Sequence, residues 1–117
     1  MSTTSTRAIE ITYTGDVNGT ENIEAADNIA SPAAIEIKSL SSGANTITVP
    51  TGGTTVTACT IVPPAGNATS ITFKGVSGDT GVRLHNTDPS SVSVDSSVST
   101  FVLTTGAAIT GVRLYWS

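Results

Sequence analysis

The chain has 117 residues, 38% of them hydrophobic and only 12% charged, with a formal net charge of −4 at pH 7. That length suits one domain with its own core, and five Lys and Arg against nine Asp and Glu withhold the positive footprint that nucleic-acid binding requires. No apolar run approaches the ~20 residues of a membrane-spanning helix, and roughly three residues in ten are Ser or Thr, which suits a neutral β surface.

The opening MSTTST has no apolar residue after Met1, so it has nothing to bury against its ordering entropy. We read residues 1–6 as a flexible N-terminal arm and residues 7–117 as a single domain. The opening also lacks the basic and apolar regions of a secretory signal, which predicts a cytosolic product. RAIEITYT then alternates, with Ile9, Ile11 and Tyr13 on one face and Glu10 and Thr12 on the other, the period of a half-buried strand.

GDVNGTENIEAAD brings Asp16, Asn18, Glu21, Glu24 and Asp27 close in sequence. These are oxygen ligands of the kind calcium takes, but the spacing of a calcium loop is missing, so the expectation is a solvated acidic turn. In ENIEAADNIASPAA, Ile23, Ala26 and Ile29 would share a helix face, yet Asn, Asp and Pro32 interrupt it. An irregular crossover is expected there.

AAIEIKSL repeats the strand alternation, with Ile35 and Ile37 read as inward and Glu36 and Lys38 as outward. NTITVP, TVTACTIV and SITFKG follow, separated by SSGAN, TGG and PPAGN. Pro50, Pro63 and Pro64 lack a backbone donor and mark strand ends. About nine strands with turns every 8 to 12 residues predict an all-β, antiparallel β-sandwich, jelly-roll or Greek-key like. Cys59 has no partner for a disulfide and reads as a small buried hydrophobe.

Near its end the chain writes TGVRL twice, at 80–84 and 110–114. Alignment of the copies sets ITFKGVSGDTGVRLHN over FVLTTGAAITGVRLYW, which reads as two similar hairpins. Val82 and Leu84, and Val112, Leu114 and Trp116, are then inward. Arg83 and His85, and Arg113 and Tyr115, are outward. Arg and Tyr are enriched at protein interfaces, so Arg83, His85, Arg113 and Tyr115, with Arg7 near the N-terminus, are the candidate interface residues.

Chemistry is poorly provided for. A nucleophile needs a base, and the one histidine, His85, sits in a turn-like HNTDP. One His and one Cys exclude the usual zinc ligand sets, and no phosphate-cradling glycine motif occurs. The expectation is a non-enzymatic protein without cofactor or metal.

GDTGVRLHNTDP and the closing GVRLYW resemble small β-rich proteins of tailed bacteriophages and related prophages, encoded among virion structural genes, and the likeness runs over residues 70 to 117. The resemblance implies a virion component, and within that class a capsid decoration or cement protein that binds the major capsid protein. It also implies a homo-oligomer, preferably a trimer, since capsids present threefold sites. The alternative is a tail- or fibre-associated carbohydrate-binding sandwich, a class that needs exposed aromatic platforms where this chain has 4% aromatic residues.

Overall fold

The computed structural model describes the backbone of residues 2–13 and 19–30, and backbone and side chains of 35–50, 58–95 and 97–116. Among these, ten strands and no helix are found. β1 (Ser2–Tyr13) and β2 (Gly19–Ala30) form an antiparallel two-stranded sheet, in register from Ser2 opposite Ala30 to Tyr13 opposite Gly19. The remaining strands are β3 (Ile35–Leu40), β4 (Gly43–Thr48), β5 (Ala58–Val62), β6 (Ile71–Lys74), β7 (Val82–Arg83), β8 (Ser90–Ser93), β9 (Thr100–Thr105) and β10 (Ile109–Trp116). They build two four-stranded antiparallel sheets, ordered β3-β10-β5-β8 and β4-β9-β6-β7.

The pairings are nested. β3 pairs with β10, β4 with β9, β5 with β8 and β6 with β7, as though one long hairpin had been rolled up. The roll is closed by β10 pairing with β5 and β9 with β6. Two four-stranded sheets wound this way are a jelly roll. Successive strands β3 and β4, and β9 and β10, therefore lie in different sheets.

Alternation explains the core. Ile47 of β4, Cys59 and Ile61 of β5, Ile71 of β6, Phe101 and Leu103 of β9, and Val112, Leu114 and Trp116 of β10 are all buried between the sheets. Phe101 stands between Phe73 and Trp116, with ring centroids 5.1 and 6.0 Å away and tilted planes, the offset geometry that aromatic quadrupoles favour. At the β3–β4 crossing, Asn45 Nδ2 donates to the carbonyls of Ser41 (2.9 Å) and Leu103 (3.1 Å), and its Oδ1 accepts from the Ser41 amide at 3.0 Å. One side chain thus satisfies backbone groups that leave one sheet for the other. The prolines behave as expected, since Pro50 lies beyond the end of β4 and Pro63 and Pro64 beyond that of β5.

Ser2–Thr6 run in β1 opposite Ala30–Ala26; β-branched threonines suit a strand, and ladder pairing satisfies the backbone. Three expectations are corrected. The segment read as an irregular crossover is β2 as far as Ala30. On β3, Ile35 and Ile37 face outward, 58% and 75% exposed. Register sets Glu36 opposite Leu114 and Lys38 opposite Val112, on the inner side with buried Leu40. Leu40 has the opposite parity from the two isoleucines, and a period of two cannot bury both sets.

The third correction concerns the repeat. The first TGVRL copy does complete a hairpin, supplying β7 opposite β6. The second lies wholly within central strand β10, after the chain has crossed from the other sheet at 106–108. What the copies share is glycine at positive φ, +74° at Gly81 and +86° at Gly111. At Gly111 this conformation accompanies a bulge, since three steps from Ile109 to Val112 match two from Leu40 to Lys38. At Gly81 a Cβ would lie 2.5 Å from the Phe73 carbonyl oxygen, so the turn packs its backbone onto β6. Val112 and Leu114 are buried as expected, whereas Val82, although opposite Phe73, is 65% exposed because β7 is a two-residue edge strand.

Candidate protein-binding face

The outer face of the β3-β10-β5-β8 sheet is built by parity from residues that alternate with the core. Tyr115 lies between Ile35 of β3 and Thr60 of β5, and Arg113 lies between Ile37 and Val62. Cross-strand neighbours on one face are about 5 Å apart, so these side chains form one continuous surface. Arg113 Nη1 donates to the Tyr115 hydroxyl oxygen at 3.1 Å, and its guanidinium carbon is 5.9 Å from the Tyr115 ring centroid. The ring and hydroxyl thus hold the cation in place, at the edge of the range for cation–π attraction. Further across the sheet, Thr60 Oγ1 donates to Ser91 Oγ at 3.1 Å.

The face therefore reads as two exposed isoleucines on an edge strand, a fixed arginine–tyrosine pair beside them, and a hydroxyl-rich flank. Exposed apolar side chains on an edge strand are a site for contact with another chain, and arginine and tyrosine are common anchors in such contacts.

The sequence-predicted residues are not brought together. Arg113 and Tyr115 share this face. Arg83 pairs with Thr72 in β7 and is exposed on the other sheet. His85 follows β7, where its Nδ1 accepts from the amides of Asp88 (2.9 Å) and Thr87 (3.2 Å). A ring nitrogen that accepts two amide hydrogens braces its own turn, with Asp88 Oδ1 at 3.7 Å. Arg7 stands opposite Ala25 in the β1–β2 sheet. Asp16 and Asn18 fall outside the described residues; Glu21, Glu24 and Asp27 lie along β2, where Glu21 and Asp27 are spread over about 20 Å at ~3.3 Å per residue. Ile35 and Ile37 were missed as surface residues, and their parity against Leu40 was the available signal.

Behind the face, Glu36 sits on the inner side. Its Oε1 accepts from Trp116 Nε1 at 3.2 Å and its Oε2 lies 3.4 Å from Lys38 Nζ. Burial, and then the nearby Glu36 charge, push the Cys59 thiol up to about 12, so it is the protonated core residue that its sequence setting suggested. Among the described residues, no group of three or more His, Cys, Asp or Glu is placed to hold a metal ion. No protein-family model, no curated protein and no solved structure matches this chain.

Proposed function

We propose that this protein is a non-enzymatic structural component of a tailed-bacteriophage virion, of the capsid decoration or cement type, acting through the outer face centred on Arg113 and Tyr115. The observation that carries the reading is the pairing of that fixed cation–aromatic anchor with Ile35 and Ile37, both more than half exposed, on one sheet face. A stable jelly roll with an apolar, singly charged outer face suits binding to a protein shell, where the contact must be specific without chemistry. The resemblance of residues 70–117 to phage structural proteins supplies the class of partner, and the major capsid protein is the shell component offered. Fold alone assigns no function, so the face has to carry the proposal.

The glycan-binding alternative is less well served. Trp116 and Phe101 are core residues, which leaves Tyr115 as the aromatic side chain on the outer face. One half-buried tyrosine is a poor platform for sugar rings.

The test is co-sedimentation of the purified protein with undecorated particles of the parent phage, beside Arg113→Ala. Saturable binding by the wild type, weakened at least tenfold by the variant, is the expected result. Absence of binding at micromolar protein would sink the capsid assignment.

A further inference from the structure

We infer that the outer face bearing Ile35, Ile37, Arg113 and Tyr115 seats the β1–β2 hairpin of a second copy of this chain. The inference rests on the face assigned above and gives it a different occupant, a second copy of this chain in place of the shell.

The hairpin has two unlike sides. Residues opposite one another in an antiparallel pair share a side, so the register sets Ile9 with Ile23, Ile11 with Glu21, Arg7 with Ala25 and Thr3 with Ile29 on one side. The other side holds Glu10 with Asn22, Ala8 with Glu24, Thr12 with Thr20 and Thr4 with Asn28. One side is thus rich in isoleucine and the other polar. A lone two-stranded sheet is marginally stable in water and needs an apolar surface to rest on.

Its own sandwich does not offer the outer face to it. β1 and β2 pair only with each other among the described strands, and Ile35 and Ile37 remain 58% and 75% exposed although β2 ends just before β3 begins.

Charge supplies the complementarity. Within the hairpin strands one cation, Arg7, is outnumbered by four carboxylates, Glu10, Glu21, Glu24 and Asp27. From residue 35 onward, Lys38, Lys74, Arg83 and Arg113 are matched by Glu36, Asp79, Asp88 and Asp95. The excess negative charge of the chain therefore lies before Ile35, and Arg113 is the charged residue of the outer face that would receive it. Glu21 and Asp27 lie on the isoleucine-rich side by register, so apolar and electrostatic contact act at the same surface. A hairpin-to-face contact is heterologous and closes into a ring under rotational symmetry, of which a trimer is one solution.

The experiment measures the solution mass of the full chain by light scattering, for wild type, Ile37→Asp, Ile9→Asp and an equimolar mixture of the two variants. The wild type should be oligomeric and each variant alone monomeric, with Ile37→Asp still folding cooperatively because Ile37 is a surface residue. The mixture should regain mass, since one variant retains a sound hairpin and the other a sound face. A monomeric wild type, an unchanged mass for Ile37→Asp, or a mixture that stays monomeric overturns the inference. Should Ile9→Asp unfold the hairpin, charge reversal takes its place: Arg113→Glu alone should lose at least tenfold in self-affinity and recover it when mixed with Glu21→Lys/Asp27→Lys, and failure to recover is equally fatal. An oligomer that ignores capsids keeps this inference and removes the virion reading; a monomer that binds them does the reverse.

Discussion

Trp116 donates its indole N–H to Glu36 Oε1 across 3.2 Å, joining the last core residue of central strand β10 to edge strand β3. The indole is buried against Phe101, and a buried donor without an acceptor costs about 1–3 kcal/mol. Glu36→Ala should therefore lower unfolding stability by about 1–3 kcal/mol in urea titration, while Glu36→Gln, which keeps an acceptor oxygen, should lose less than half as much. Equal losses would mean that the carboxylate charge, paired with Lys38, matters more than the indole bond.

Arg83 and Arg113 come from the same repeated pentapeptide and lie on different sheets, which separates their roles. Both are exposed, so alanine at either should change stability by only about 0.5 kcal/mol. Arg113→Ala should weaken self-association or particle binding and Arg83→Ala should not, as read by sedimentation. The opposite ranking would transfer the interface to the β4-β9-β6-β7 sheet.

The two glycines of the repeat should also differ. Both hold positive φ, which costs a non-glycine residue roughly 1–2 kcal/mol. At Gly111 an added Cβ meets nothing, whereas at Gly81 it meets the Phe73 carbonyl oxygen and Lys74 Cγ at 2.5 Å. Gly81→Ala should therefore be the more damaging, by an added ~1 kcal/mol or more of overpacking, measured as the difference in denaturation midpoints.

Neighbouring threonines on β9 give a paired test of hydrogen-bond accounting. Thr105 Oγ1 donates to the Ser41 carbonyl at 2.8 Å, while Thr104 Oγ1 is buried without a partner among the described residues. Thr105→Val should cost about 1 kcal/mol, and Thr104→Val should be neutral or stabilising, because it removes a polar atom that folding leaves unsatisfied. A destabilised Thr104→Val would show that its hydroxyl has a partner of its own.

Local alternation made much of this fold legible. Ile47 and Val49, Ile71 and Phe73, and Val112, Leu114 and Trp116 show their strands and, except at half-buried Phe73, full burial. The choice of sheet was not legible, because GAA between β9 and β10 looks like a hairpin turn, and only the nested long-range pairing shows that it crosses between layers. β2 hid for a related reason: Asn, Asp and Glu disfavour a strand taken singly, and the full register with β1 overrides that preference. Of the candidate face, Arg113 and Tyr115 followed from alternation. Ile35 and Ile37 did not, because a strand carrying apolar residues at both parities has its inner side decided by its neighbours.

Cys59 provides the pH-dependent test. Its folded thiol is pushed from 9.0 up to about 12, chiefly by burial and then by Glu36. Between those values only the unfolded chain releases the proton, so this contribution is complete below about pH 9 and is lost as pH rises toward 12. Stability should fall by up to about 1.4 kcal/mol per pH unit in that window from this one group. Cys59→Ala loses packing at neutral pH but should show a shallower alkaline slope than the wild type, and in the wild type a thiol reagent at pH 8 should react only as fast as the protein unfolds. Fast labelling of the native protein, or identical alkaline slopes, would place the thiol in contact with solvent and not beneath Trp116, its ladder partner on β10.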